Sequence, residues 1–482
     1  REYWVAPTTI LYPSTDWISR RLIYTHASRI ICLDSHTGEF TPATQVFGVK
    51  EEPETYYGEG FKETVYVQVK GFKEVEDISY SKDADYVLSG WQRVLWFISE
   101  GQLGFAFAPP QDEIKMLYKR DILTRVQGML IHGLALDEDA YLVSDGHNVY
   151  YAVQVLVDYP VQSGFSASRY LRFLGVILVN VEDGTMRGYV VAKPDGFLVD
   201  FYRRYYSTWE APPSWLVPQL RYPEQLLGMH RYTGQLDTDF LYHVADPFVW
   251  RAGSDFFERP AATAVHYILI QSGEQALFAG IQLVEFKASP GRNLAGLYTA
   301  YGGPNLGEIA LYRVGNATTA QLIGPSAALQ ALETDDYVRT QLTLLTNRRL
   351  GNILLYSIGG KLYYFIPVYI VTQEAAAVIT KMAFIVVIDA VTGAKVATGA
   401  DAAQAYYSLA GAKPPVVTGF ETRLRNIRTF LETGRYTVIN VTKITANAEI
   451  EVGKATYLDE AQWTQTTQIM DTFLKEYGSK TD

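Results

Sequence analysis

The feature that most constrains this chain is a succession of long β-rich runs closed by two-residue turns. "LGVILVNVEDGTMRGYVVA" (174–192) sets Asp183-Gly184 between two apolar, β-branched stretches. "VHYILIQSGEQALFAGIQLVEF" does the same around Ser272-Gly273, and "GNILLYSIGGKLYYFIPVYIV" around Gly359-Gly360. Such dipeptides reach positive φ at low cost, so each pair of runs reads as an antiparallel hairpin. "ETVYVQVKGF" and "NVYYAVQVLV" add alternating strands.

Helical patterns interrupt the strands. "EIKMLYKRDILTRVQGML" (113–130) carries Ile114, Leu117, Ile122 and Val126 near helical spacing. "PPSWLVPQLRYPEQLLGMHRY" reads as two short helices broken at Pro223. "PSAALQALETDDYVRTQLTLL", "TGFETRLRNIRTFLETG" and "DEAQWTQTTQIMDTFLKEYG" read as helices too. The expectation is an α+β fold of mainly antiparallel sheets with interspersed packed helices. The best internal boundary is "FFERPAATA", which divides an N-terminal half (1–260) from a C-terminal half (261–482) with hairpins and a terminal helix. "CLDSHTGEF", "VNVEDGTMRGY" and "VIDAVTGAKV" echo one another near 34, 183 and 389. Without a common period they read as three ordinary hairpin turns.

Charge and cysteine usage remove several classes of function. A formal charge of -10 opposes an electrostatic hold on nucleic acid or a polybasic grip on anionic lipid. The single cysteine, Cys32 in "RIICL", excludes an intramolecular disulfide and a thiolate zinc site, and reads as a small buried hydrophobe. The longest apolar runs fall short of the ~20 residues of a membrane helix, so the chain is expected to be soluble. Arg1 reads as a processing point or a boundary imposed on a longer protein.

The sequence contains no G-x-S-x-G, H-E-x-x-H, Walker or dinucleotide motif, and no catalytic residue is assigned. Its seven histidines are scattered singly, without metal-ligand spacing. "LDEDAYLVSDG" gathers Asp137, Asp139 and Asp145, candidates for a calcium ion, against a reading as a solvated acidic turn. His243 and Asp246 in "YHVADPFVW" read as a turn, and Arg221 as the partner of a buried carboxylate or a helix cap. Asn316 and Asn440 head glycosylation sequons.

The order of landmarks resembles uncharacterised protein family 0182, multi-pass membrane proteins of bacteria and archaea. "WISRRLIYTH", "YYGE", "YKRDILTRV", "LDEDAYLVSDG", "LRYPEQLL", "YHVADPFVW", "SPGRNLAGL" and "GNILLYSIGGKLYYFIPVYI" follow one another along nearly the whole chain. Two departures stand out: Ala27-Ser28-Arg29 where the family has Gly-aromatic-Gly, and Ala140 where it has proline. The resemblance implies an extracytoplasmic domain preceded by transmembrane helices, and no reaction. His26 is then expected to hold a turn. With 35 Tyr and 8 Trp, the chain is expected to act by contact with its own membrane part and as a homo-oligomer. The alternatives are a ligand-binding or transport-accessory domain and an envelope hydrolase using paired carboxylates.

Overall fold

The structure is a computed structural model. It describes residues 3–10, 12, 14–34, 39–163, 166–228, 257–260, 263–272, 275–286, 292–314, 321–374, 377–411, 441–444 and 450–452. The helical patterns at 418–434 and 459–478, most of the "FFERPAATA" boundary, the Ser272-Gly273 turn at Gly273, and the His243–Asp246 pair lie outside these residues.

The N-terminal part is built from short pieces. Strand β1 (Tyr3–Pro7) is followed by β2 (Ala27–Ser28), β3 (Ile30–Asp34) and β4 (Phe40–Thr41), then helix α1 (Ala43–Phe47) and β5 (Glu54–Thr55). β3 pairs with both β1 and β4, and β2 with β5. Next come β6 (Val65–Val67), β7 (Tyr86–Leu88), α2 (Gly90–Ser99), α3 (Leu103–Phe107), β8 (Ile114–Leu117) and α4 (Ile122–Gln127). β8 pairs with β6 and β7. The helix expected over 113–130 is therefore corrected in its first part. Ile114 and Met116 are buried in the sheet, and Asp121 restarts the chain as a helix by accepting the Thr124 N–H at 2.9 Å.

Three five-stranded sheets then repeat one topology. The first holds β9 (Leu134–Leu136), β10 (Tyr141–Ser144), β11 (Val149–Ser163), β12 (Ser166–Asn180) and β13 (Met186–Val190). Helix α5 (Leu198–Tyr205), a 3₁₀ turn (Val217–Gln219) and α6 (Glu224–Gly228) lead onward, the last two on either side of Pro223 as expected. The second sheet holds β14 (Phe257–Glu258), β15 (His266–Ser272), β16 (Gln275–Phe286), β17 (Leu294–Tyr301) and β18 (Ile309–Arg313). After α7 (Pro325–Thr334) and α8 (Asp336–Leu344) come β19 (Arg348–Leu350), β20 (Leu354–Ile358), β21 (Lys361–Glu374), β22 (Ala377–Asp389) and β23 (Val396–Gly399). Helix α9 (Ala402–Ala410) and a hairpin of β24 (Val441–Ile444) and β25 (Ile450–Val452) follow.

In each of the three sheets two short strands share one edge of a long strand, which pairs with a second long strand and then a short last one. All pairings within these sheets are antiparallel. Each is in effect a four-stranded meander, the unit from which propeller blades are made. Each also carries a β-bulge at the same place, with Leu174, Ala295 and Ala383 as the extra residues. Beside the bulge stand Gly175 and Gly296 in the first two. A Cβ there would overlap the carbonyl oxygen of Tyr189 or Tyr312 in the neighbouring short strand. In the third sheet Phe384 takes that place, and pairing with β23 starts one residue later, at Ile385.

The sheets share cores in sequence. Ile30 and Cys32 of β3 pack with Tyr151, Val153, Ile177 and Val179 of the first meander. Its other face, Tyr150, Val176 and Leu178, meets Leu216, Leu220 and Leu306. Leu283 and Leu294 of the second meander pack with Ile366, Val386 and Ile388 of the third, under Leu332 and Leu342. Cys32 is buried, as expected of a small hydrophobe.

Candidate functional site

His26 sits in a buried polar cluster assembled from segments far apart in sequence. The Glu74 carboxylate accepts the Thr25 hydroxyl at 2.6 Å and the Tyr56 hydroxyl at 3.0 Å on Oε2, and the N–H groups of Gln68 and Tyr80 on Oε1. Thr25 has one hydroxyl proton, and Glu74 receives it. The 3.2 Å contact between Thr25 Oγ1 and His26 Nδ1 then requires Nδ1–H to donate. A neutral imidazole consequently turns its Nε2 lone pair toward Glu54 Oε2, 3.3 Å away. Both atoms are buried, and neither makes a hydrogen bond, to the other or to any further group. Two bare acceptors 3.3 Å apart would repel, which favours a protonated form of one of them. Burial lowers the His26 pKa. Burial, reinforced by Glu76 and Glu182, raises Glu54 to about 7. Both shifts place the proton on the carboxyl.

Arg120 closes the cluster from beneath. It is 1% exposed and donates to the carbonyls of Tyr56 (2.7 Å), Glu63 (3.3 Å) and Thr25. Burial pushes its pKa down to about 10, which leaves it charged at neutral pH. A Thr–His–Glu arrangement has the members of a nucleophile relay. Here Thr25 is fully buried and its hydroxyl already donates to Glu74, so no reactant reaches it. His26 holds the entry of β2, and the cluster fixes the β2–β5 pairing.

The acidic segment behaves differently from a solvated turn. Asp137 is 1% exposed. Its oxygens accept the N–H groups of Asp139 at 3.1 Å and Gln225 at 3.0 Å. Asp139 accepts from Arg221 at 3.4 Å. The Arg221 guanidinium lies 4.2 Å from the Tyr141 ring centre, 5.1 Å from Tyr267 and 5.5 Å from Phe278. Arg221 thus pairs with a carboxylate, one of its two expected roles, and bridges the first and second meanders. Burial raises Asp139, and burial with Asp139 and Asp137 raises Glu224 to about 7. Asp145 stays in the β10–β11 turn, accepting from His147 N, Asn148 N and the Tyr150 hydroxyl. Among the described residues no group of three His, Cys, Asp or Glu side chains is placed to hold a metal ion. Asn316 and Asn440 lie outside the described residues.

The surface supplies what motif reading missed. On α2, Trp91 (79% exposed), Leu95 and Ile98 form an outward stripe, continued on α3 by Leu103 and Phe107. Between 91 and 108 the exposed residues are Trp91, Gln92, Leu95, Ile98, Ser99, Gly101, Leu103, Gly104, Phe107 and Ala108, with no charge among them. Arg93 is turned to the carbonyls of Gln111 and Asp112, and Glu100 lies near Arg21. The i, i+4, i+7 spacing of Trp91, Leu95 and Ile98 was the available signal. It reads equally well as a core stripe.

Comparison with known proteins places the chain. The model of an uncharacterised protein family, UPF0182, matches residues 6–345, so the chain belongs to that family. A family member from Geobacter sp. (strain M21) is 27% identical over 408 residues, covering 75% of this chain and 44% of its own length. Relatives from Geotalea uraniireducens (26% over 409 residues, 76% of this chain and 44% of the relative) and Clostridium kluyveri (23% over 410 residues, 75% and 44%) are similar. The chain thus spans less than half the length of these relatives. No solved structure matches. No helix among the described residues is long and apolar enough to cross a membrane.

Proposed function

We propose that the chain is the extracytoplasmic domain of a membrane-anchored cell-envelope protein and that it works by assembly, pairing with a second copy through α2 and α3. The charge-free face of these helices carries the reading. In a chain with 20% charged residues, an exposed stretch of this length without one is a surface that tolerates burial. Two-fold pairing places each residue of the face near its own copy. Any charge at the centre would meet itself, and the net charge of -10 makes that penalty general elsewhere on the surface. Trp91, Leu95, Ile98, Leu103 and Phe107 together expose about 600 Å², taking ~150–250 Å² for a whole large side chain. Two such faces reach the ~1,200 Å² at which specific interfaces begin. The extracytoplasmic location rests on the family resemblance.

Native mass spectrometry of protein extracted from membranes tests the reading. A dimer is expected for the wild type, and a monomer for Trp91→Ser/Leu95→Asp at an unchanged melting temperature. A wild-type monomer at micromolar concentration, or a dimer that survives the double substitution, refutes it.

A further inference from the structure

A second apolar surface has a different composition. Helix α5 turns Val199, Tyr202 and Tyr206 inward, where the Tyr202 hydroxyl donates to the His132 carbonyl and that of Tyr206 to Met129. Its outer side presents Phe197 at 76% exposure, Phe201 at 52% and Tyr205 at 57%. Phe201 and Tyr205 lie one turn apart on the helix, Arg204 stands about 60° from Phe201 round the axis, and Phe197 caps the N-terminus outside the helix. Arg203 is exposed on the far side of the helix, about 160° from both Phe201 and Tyr205, and Lys193 is exposed on the approach to the helix.

The acids of this segment are engaged. Asp195 accepts the N–H groups of Phe197 and Val199 and pairs with Arg172 at 2.8 Å. Asp200 accepts the Gly196 N–H at 2.9 Å. Lys193, Arg203 and Arg204 have no ion-pair partner among the described residues. Residues 193–210 carry Lys193, Arg203 and Arg204 against Asp195, Asp200 and Glu210, no net charge, but Arg204 and Lys193 stand near the exposed rings.

We propose that α5 docks the domain on the surface of an anionic phospholipid bilayer. Phe197, Phe201 and Tyr205 enter the headgroup layer, and Arg204 and Lys193 bind lipid phosphates. Aromatic side chains with one apolar body and a wet edge favour that layer. Guanidinium groups match phosphate oxygens in bidentate geometry. Charge complementarity selects the lipid surface over a second copy of the chain. An anionic surface attracts Arg204 and Lys193 beside the rings and repels the rest of the molecule, whose net charge is -10, which orients it. The bulk charge still excludes a polybasic grip. The hold proposed is local, shared between the rings and two cations.

Flotation with vesicles of pure phosphatidylcholine, or of phosphatidylcholine and phosphatidylglycerol at three to one, tests this on the whole chain. The wild type is expected to bind the anionic vesicles roughly tenfold more tightly than the neutral ones. Phe197→Ser/Phe201→Ser should lose about tenfold on anionic vesicles, and Arg204→Gln/Lys193→Gln should abolish the preference between them. Trp91→Ser/Leu95→Asp should bind lipid as the wild type does, which separates this surface from the α2–α3 face. Because Cys32 is buried, with its thiol pushed up to about 11, Phe201→Cys can be labelled selectively with an environment-sensitive dye. Its emission should shift to the blue on anionic vesicles. Equal binding to both vesicle types, no binding, an unshifted label, or loss of self-assembly instead of lipid binding in the phenylalanine variant overturns the proposal.

Discussion

The first meander (134–190) and the second (257–313) are built alike and surrounded differently. Both pair two short strands with one long strand, both bulge one residue before a crowded glycine, and both end on a five-residue strand. The first is covered on one face by β3 and α4 and, through them, by the layer that His26 and Arg120 hold together. The second lies against the third meander and the α7–α8 pair. Arg221 joins the two units, against Tyr141 of one and Tyr267 and Phe278 of the other. The difference teaches that the sheets are the repeated scaffold, while the insertions between strands carry what is particular: the polar cluster, the α2–α3 face and α5.

The largest expected effect tests the likeness itself. Gly175→Val and Gly296→Val each force a side chain into the carbonyl of the adjoining strand, and backbone cannot yield as a side-chain tip can. Each should cost about 4 kcal/mol or more in denaturant unfolding. Gly360→Ala, where a Cβ meets open space but φ is +75°, should cost only about 1 kcal/mol. If Gly296→Val is tolerated while Gly175→Val is not, the two units are not equivalent.

Next comes the layer that only the first meander has. Arg120→Met strands three buried carbonyls and should cost about 3–5 kcal/mol. Arg120→Lys should recover less than half of that, because an ammonium cannot span the three acceptors. Full rescue by lysine in the same unfolding titration would show that charge alone matters.

Arg221→Leu tests the joint between the units. Leucine still packs among the three rings, so the loss should be about 2 kcal/mol, arising from the cation–π contacts and the Asp139 pair. A loss as large as that of Arg120→Met would make the joint, rather than the sheets, the seat of stability.

The smallest effect concerns the protonation of His26 and Glu54, and its sign can be worked out. In the unfolded chain between pH 4.5 and 6.5, histidine holds a proton and glutamate does not. In the folded chain the raised Glu54 holds a proton in that window, and the lowered His26 gives its own up more readily than a free histidine. The two shifts act in opposite directions, so they offset one another in the slope of stability against pH. Glu54→Gln leaves the depressed His26 alone, and stability should fall as the pH drops below 6.5. His26→Asn leaves the raised Glu54 alone, whose contribution is complete below 4.5 and lost as the pH rises toward 7. The Glu54 drift should reach about 1–2 kcal/mol after allowing for the part of Glu54 that meets solvent, and the His26 drift should have the opposite slope. Parallel slopes in the two variants would place the proton elsewhere.

Much of the fold was legible because hairpins are local. Asp183-Gly184 and Gly359-Gly360 close turns where expected, the latter with both glycines at positive φ. Of the three turns near 34, 183 and 389, read as ordinary hairpin turns, two can be compared, since residues 35–38 lie outside the described residues. Asp183 and Asp389 each accept hydrogen bonds inside the turn before the last strand of a meander. Connectors that differ from unit to unit removed the period. Ile114–Leu117 read as helix because Ile114 and Leu117 also fit a 3.6-residue pattern; pairing with β6 and β7 decided otherwise. Asp137 read as solvated because its neighbours are acidic; Gln225, 88 residues away, shows why it is buried.

By itself, then, the sequence determined the antiparallel meanders, the class of fold and the family, since alternation, turn residues and landmark order are all properties of neighbouring positions. Tertiary structure alone decided the protonation of His26 and Glu54, the three carbonyls on Arg120, and which amphipathic helices keep their apolar side outward. An apolar stripe has the same spacing whether it faces a core or solvent. A polar group's charge state depends on partners that the chain brings back from 28 to 95 residues away.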